Sequence, residues 1–491
     1  MAPKDYAALD DEGDDGDGKD DMNIPDVQFE MSNFTNKTKL IEDSIENGVF
    51  DLDNTIGIPD YDVNVVLSED PLVRDVLREN ENKSTMRWAF MNMANSILGA
   101  GVISQPFALK NCGIIGGLVA YFLLGFLVDW TLRLIAINLV LTGTQTYQDT
   151  IQSVMGRKGK ILILVTNGLF AFGGCIGFCI IIGDTVPHVL RSLFHSNSFF
   201  LRRNVIISLV TFFISYPLSL QRNIAALSKA SFLALVSMVV IVFSVIIRGP
   251  MLNSALKSEG LSIENIFVTP RFFRGVSVIS FALVCHHNTS FIFLSMKNRS
   301  IQKFSKLTHI SSVVSVIFCM LMGYSGFGVF GMKTKGNILN NFPVNDKTIN
   351  IARLCFGFNM LTTFPLEIFV LRDVISTCFQ KQISTNCEPA ILSTKLHFII
   401  TTVLVFGTMS VSLTTCNLGA LFELIGATTA SIMAYILPPL TNLLLRREKS
   451  SFKSKSPHIL SIIFGATMMI VSSAQTIFEA IHGEDQNHCE I

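Results

Sequence analysis

The sequence predicts an all-α polytopic membrane protein with 11 transmembrane helices, arranged as a five-plus-five inverted repeat with one helix appended. Three observations point there. Hydrophobic residues make up 49% of the 491 and charged residues 15%, with a mean hydropathy of +0.47; soluble globular chains carry about 25% charge. Apolar runs of about 20 residues, the length that crosses a bilayer core, recur along the chain. Two of these runs, five spans apart, are interrupted at mid-length by residues that a spanning helix should avoid.

The runs cover 86–108, 114–141, 161–183, 203–220, 229–248, 272–295, 307–331, 348–371, 396–413, 417–445 and 457–476. In lipid, only helices and closed barrels satisfy every backbone polar group, and runs this long read as helices. The division between the ninth and tenth rests on "TTCNLG" alone. Lys and Arg number 17 in the loops at 142–160, 221–229, 296–306, 372–395 and 446–456, against 9 in the alternate loops. Cationic loops stay in the cytosol. This places the N-terminus in the cytosol and the C-terminus on the far side, as an odd number of spans requires.

Three segments follow: an acidic tail (1–84), an eleven-helix domain (85–476) and a short acidic C-terminal tail (477–491) on the lumenal side. Residues 1–85 hold 23 Asp and Glu against 7 Lys and Arg, a net charge of −16, which the remainder balances with +16. Such a tail buries too little apolar area to offset its chain entropy and reads as largely disordered, a solubilising or regulatory segment. No basic segment followed by an early apolar stretch marks a signal peptide. The 10 cysteines are scattered without metal-ligand spacing and read as small core residues.

The first interruption is "NSILGAGVISQPFA", residues 95–108. Gly99 and Gly101 weaken a helix, and Pro106 removes a backbone donor. The second is "FALVCHHNTSFIF", where His286, His287, Asn288, Thr289 and Ser290 form five consecutive polar residues. One glycine pair alone is equally well explained by close helix packing. Two breaks in corresponding places of two five-helix halves point instead to a substrate site. Irregular backbone at membrane depth survives where it lines a cavity, and freed N–H groups and carbonyls suit the two ends of an amino acid.

Other polar groups sit inside spans. Asp129 and Arg133 are four apart and read as a structural pair, with a gating role as the alternative. Glu367 lies two residues after Pro365 and could titrate or pair elsewhere in the bundle, and Glu423 reads equally as a proton site or a packing group. "GATTAS" reads as a close-packing surface. The adjacent histidines titrate near the pH range separating cytosol from an acidic compartment. No phosphate-binding loop, metalloprotease motif or nucleophile elbow occurs, so no enzyme activity, cofactor, metal or nucleic-acid partner is expected.

"MANSILGAGVISQPFALKNCG" resembles the first helix of the amino acid/auxin permease family. "IIGDTVPHVL", "FALVCHHNTSFIF", "TTFPLEIFVLRD" and "GATTASIMAYILP" resemble further family signatures in the family order, together spanning about 84 to 476. The acidic tail and the "PLE" of the eighth helix look most like the fungal vacuolar amino acid transporters, in the exporting subgroup. The resemblance implies a leucine-transporter-like 5+5 fold and secondary active amino acid transport by alternating access. It implies substrate contacts at Ser96, Ile97, Leu98, Gly99, Ala100 and Gly101, and a sixth-helix break at His286, His287, Asn288 and Thr289. Members using sodium imply ion ligands at Asn92 or Asn95 and at Thr362 or Thr363. The fungal likeness favours a coupling proton instead, held by a histidine or Glu367. The expected protein is a proton-linked transporter of the vacuolar membrane, exporting amino acids to the cytosol. Its rivals are a sodium-coupled importer at the plasma membrane and a non-transporting amino acid sensor.

Overall fold

A computed structural model describes residues 83–195, 198–221, 230–258, 260, 266–379, 393–446 and 452–482. Contacts divide the chain into two units, Met1–Leu77 and Arg78–Ile491, and all described residues belong to the second. The expectation of a disordered acidic tail falls outside them.

Four of the helices begin where a side chain satisfies an orphan N–H group of the first turn. Thr146 accepts from the Asp149 N–H, Ser300 from Lys303, Ser393 from Leu396 and Asn417 from Ala420. In chain order the helices are α1 (Met86–Ile97), α2 (Gln105–Cys112), α3 (Ile114–Thr142), α4 (Tyr147–Phe194), α5 (Arg203–Ser219), α6 (Ala230–Arg248) and α7 (Phe272–Leu283). They continue with α8 (His286–Ser295), α9 (Ile301–Phe330), α10 (Lys347–Phe379), α11 (Thr394–Thr414), α12 (Leu418–Leu445) and α13 (Phe452–His482). Eight stretches among the described residues are long and apolar enough to cross a membrane: α3, α4, α7 with α8, and α9 to α13. Helices α5 and α6 contain shorter apolar helices, and the first run divides into α1 and α2. The only isolated β-bridge among the described residues joins Ser84 to Met296.

Helix α4 is longer than the expected 161–183 because a short helix is fused to it. At Gly156 the backbone turns with φ +66°, a conformation that favours glycine, so 147–155 forms a separate helix within the basic loop. The Tyr147 hydroxyl donates to the Met433 carbonyl and anchors that short helix to α12. The "GATTAS" segment lies in a π-helical stretch of α12, Gly426–Ile436. A Cβ on Gly426 would lie 1.9 Å from the Ser277 carbonyl oxygen of α7, so this run does serve close contact. The cysteine reading holds for Cys112, Cys175, Cys179, Cys285 and Cys319, which are free and buried. It fails for Cys416, which is disulfide-bonded.

Several buried charges are paired, because an isolated charge in this interior would be prohibitively costly; Arg353 is held instead by the Leu339, Phe342 and Pro343 carbonyls and by Asn350. The Asp129–Arg133 pair forms as expected at 2.9 Å, and Nδ1 of His309 on α9 joins it at 2.9 Å. Asp184 on α4 meets Arg203 on α5 at 3.5 Å and accepts from Asn337 and Asn340. Glu423, fully buried on α12, accepts from Arg274 of α7 and the Thr476 hydroxyl of α13, each at 2.5 Å. Glu479 of α13 also pairs with Arg274. The two readings left open for Glu423 therefore resolve towards a structural pair joining three helices.

Just before α10, Asp346 accepts twice from Arg248 (2.7 and 2.9 Å) and once from the Ile349 N–H. Burial opposes its charge, but these bonds outweigh burial and hold the carboxyl below its ordinary value.

Two expectations follow. Removing one partner of a buried ion pair costs about 3–5 kcal/mol, so Glu423→Ala should lose that much stability in detergent unfolding, and a loss under about 1 kcal/mol would refute the pairing. A depressed carboxyl stabilises the fold above its unfolded value, about 3.9, and the benefit disappears as pH falls through the folded value. The melting-temperature gap between the wild type and Asp346→Asn should thus stay flat from pH 7 to about 5 and narrow only below about 4.

Candidate functional site

The first interruption opens at Leu98 and Gly99. Ser96 and Ile97 end α1, Leu98 leaves helical geometry (φ −82°, ψ 52°), and Gly99 is extended at ψ −148°. Ala100 and Gly101 begin a 3₁₀ turn, Ala100–Ser104, that leads into α2. Pro106 sits in the first turn of α2, where a missing N–H costs nothing; it starts the second half-helix rather than breaking the first. The freed carbonyls are partly satisfied. Gly99 accepts from the Val102 N–H at 3.3 Å, and Gly101 accepts from Gln105 Nε2 at 2.8 Å. Gln105 is itself held by the Tyr121 hydroxyl at 2.8 Å.

The two glycines do different work. A Cβ on Gly101 would lie 2.6 Å from the Ala282 Cβ and 2.7 Å from its Cα, so α7 packs directly on this turn. A Cβ on Gly99 would meet nothing within 4 Å. One glycine permits a helix contact, and the other borders open space.

In the sixth run the break falls at Val284 and Cys285, ahead of the polar residues assigned to it. His286, His287, Asn288 and Thr289 instead form the first turn of α8, whose N–H groups carry the positive end of the helix dipole. Hydrogen bonding explains the shift. Asn288 N–H and the Thr289 hydroxyl both bond the Cys285 carbonyl, closing the new helix around polar residues that favour helix starts.

The two breaks meet. Asn288 Nδ2 reaches Ser96 Oγ at 3.5 Å, and Gly101 touches Ala282 beside the second break. Beside them, His287 Nε2 lies 3.8 Å from Glu367 Oε1 of α10. Neither His287 nitrogen nor Glu367 Oε2 has a hydrogen-bond partner. Phe170 of α4 packs on the His287 ring (5.1 Å between centroids) and on Phe281 (5.5 Å), which stacks on Phe422 at 4.1 Å. An aromatic layer from α4, α7 and α12 thus covers a histidine–carboxylate contact. Arg372, five residues further along the same helix, donates to the Ser219 carbonyl and the Thr401 hydroxyl.

The four sodium-ligand candidates are not drawn together by hydrogen bonds. Thr362 and Thr363 donate to the Asn359 carbonyl of their own helix, and Asn92 and Asn95 lie half-buried on α1. Among the described residues no cluster of three or more His, Cys, Asp or Glu could hold a metal. A cleft of about 500 Å³ lined by Leu141, Thr142, Ser153, Val154, Leu444 and Leu445 lies away from the breaks and carries no titratable group.

Sequence reading missed two contributors. Gln105 occupies a polar position four residues after Gly101, a spacing that was available as a signal. Thr131 of α3 contacts His286 Nε2 at 2.9 Å across 155 residues of sequence, and nothing local marks it.

Residues 82–478 match the family model described as "Transmembrane amino acid transporter protein". The chain is 62% identical over 471 residues to Vacuolar amino acid transporter 2 of Saccharomyces cerevisiae, covering 95% of this chain and 97% of that protein. It is 31% identical over 407 residues to Putative sodium-coupled neutral amino acid transporter 11 of Bos taurus, covering 82% and 86%. To the protein of that name from Homo sapiens it is 30% identical, covering 78% and 93%.

The glycine asymmetry gives a contrast in folding. Gly101→Leu should lose about 1–3 kcal/mol or more through overpacking against α7 and accumulate poorly, while Gly99→Leu should accumulate and melt like the wild type. Equal melting temperatures for the two variants would refute the assignment.

Proposed function

The chain belongs to the transmembrane amino acid transporter protein family, and on that premise we propose that it is a secondary active, proton-linked amino acid transporter of the vacuolar membrane. The reading takes α1 with α2 as one broken span and adds α5 and α6 to the eight longer stretches, for 11 spans. The first ten form two inverted five-helix halves and α13 is the extra helix. The basic loops face the cytosol. The 62% identity to a protein named for the vacuole, over nearly the full length of both chains, supports the location.

The observation that carries the reading is the meeting of the two broken helices beside a half-buried, hydrogen-bond-poor His287–Glu367 contact. The N–H groups opening α8 receive the substrate carboxylate, and carbonyls in the last turn of α1 receive the ammonium. The open space beside Gly99 admits the substrate. The His287–Glu367 pair takes up the coupling proton, since a carboxylate and an imidazole at this distance can share one. With an acidic lumen, a proton leaving with the amino acid exports it to the cytosol, and rocking of one half against the other alternates access. The aromatic layer and the Arg274–Glu423 pair close the lumenal side.

Purified protein in liposomes with an imposed pH gradient and no sodium tests this. Labelled amino acid should leave an acidic interior and stop when the gradient is collapsed. Glu367→Gln should lose gradient-driven movement more than about ten-fold, equivalent to about 1.4 kcal/mol, while keeping exchange of labelled for unlabelled substrate. Gly99→Leu should abolish both. Flux that appears only with sodium would replace the proton with a sodium ion, as the names of the animal relatives suggest. Binding without flux would make the protein a sensor.

A further inference from the structure

His286 is fully buried at the first position of α8, and its two ring nitrogens have different surroundings. Nε2 lies 2.9 Å from Thr131 Oγ1 on α3, while Nδ1 has no hydrogen-bond partner. The Thr131 hydroxyl has a single proton. The Leu127 carbonyl of its own helix lies 2.8 Å from the hydroxyl oxygen and the Val128 carbonyl 3.1 Å, so that proton has an acceptor there. With the proton so placed, the oxygen accepts and the ring donates to it. Neutral His286 then carries its hydrogen on Nε2 and a lone pair on Nδ1. The opposite tautomer would leave a buried Nδ1–H donor without an acceptor, costing about 1–3 kcal/mol. It would also point that donor into the positive end of α8, whereas a lone pair is favoured there.

We propose that Thr131 is a positioning residue of the amino acid site: by holding His286 in the Nε2–H form, it fixes Nδ1 as the acceptor for an N–H donor of the amino acid. Nδ1 is on the ring edge nearer its own backbone, which is the backbone of the break. The assignment rests on the transport reading for the identity of the ligand, while the tautomer is tested independently of transport. It gives His286 a task distinct from that of His287, whose Nε2 faces Glu367. The donor is either the α-ammonium common to all amino acids or a side-chain amide or imidazole N–H.

Two measurements test it. Protein labelled with ¹⁵N-histidine in bilayers is examined by solid-state nuclear magnetic resonance, and His286→Asn identifies the resonances among the 9 histidines. The wild type should show a neutral ring protonated at Nε2, Thr131→Ser should preserve it, and Thr131→Val should lose it. An Nδ1-protonated ring in the wild type, or no change in Thr131→Val, overturns the proposal even if the protein moves no amino acid. In liposome flux, Thr131→Val should raise KM about five- to ten-fold, the value of one lost hydrogen bond, with little change in maximal rate. Thr131→Ser should restore KM. In a His286→Asn background the valine should have no further effect on KM. A rise for glutamine and histidine but not leucine identifies the side-chain donor, and an equal rise for all three identifies the ammonium. A lower maximal rate with unchanged KM would mean that Thr131 only packs, and would overturn the proposal.

Discussion

Hydrocarbon offers no partner to a backbone N–H or carbonyl, and the rest of this structure is organised around that fact. A helix that breaks inside a membrane must have its freed groups satisfied by the protein or by something the protein binds. Here the two broken helices are satisfied only in part. Gln105 takes the Gly101 carbonyl, Val102 takes that of Gly99, and Asn288 closes on Cys285. The breaks then support one another through Gly101 against Ala282 and Asn288 against Ser96. Groups left over at their junction are the ones available to a ligand.

The distribution of charge follows the same logic. Away from the breaks, three buried carboxylates are tied into pairs that join helices: Asp184 with Arg203, Glu423 with Arg274, Asp129 with Arg133 and His309. Asp129 Oδ1 and Glu423 Oε2 nonetheless lack a hydrogen-bond partner, and several atoms beside the breaks do too. His286 is satisfied at one nitrogen, His287 at neither, and Glu367 Oε2 has no partner. An unsatisfied buried polar atom costs stability, and retaining several at one place is intelligible where a substrate or proton completes them.

Helix α13 adds a further constraint. Thr476 and Glu479 reach Glu423 and Arg274, so the last helix clamps the contact between α7 and α12. The same two helices supply Phe281 and Phe422, the stacked pair above His287. Close approach at Gly426 to the Ser277 carbonyl completes this seam. The ion pair and the aromatic layer are thus parts of one interface, and motion in one must be felt by the other.

Much of this was legible in the sequence, because the bilayer imposes rules that operate one helix at a time. Apolar length marked the spans, basic loops marked a face, and Gly99, Gly101 and the histidine run marked the two interruptions. The Asp129–Arg133 pair was readable because four residues make one turn. Other features required the folded chain. That Gly101 packs while Gly99 borders space depends on where Ala282 lies. Glu423 was ambiguous until Arg274 and Thr476 arrived from helices 149 and 53 residues away. The break at Val284 and Cys285, rather than at His286 to Thr289, depends on hydrogen bonds to the Cys285 carbonyl. Thr131 gave no local sign because its partner is 155 residues distant. Sequence by itself determined the long apolar helices and that two of the apolar runs are interrupted, since hydrophobicity and backbone chemistry are properties of neighbouring residues. Tertiary structure decided which polar groups are paired and which are left open, since pairing is a property of helices that meet only after folding.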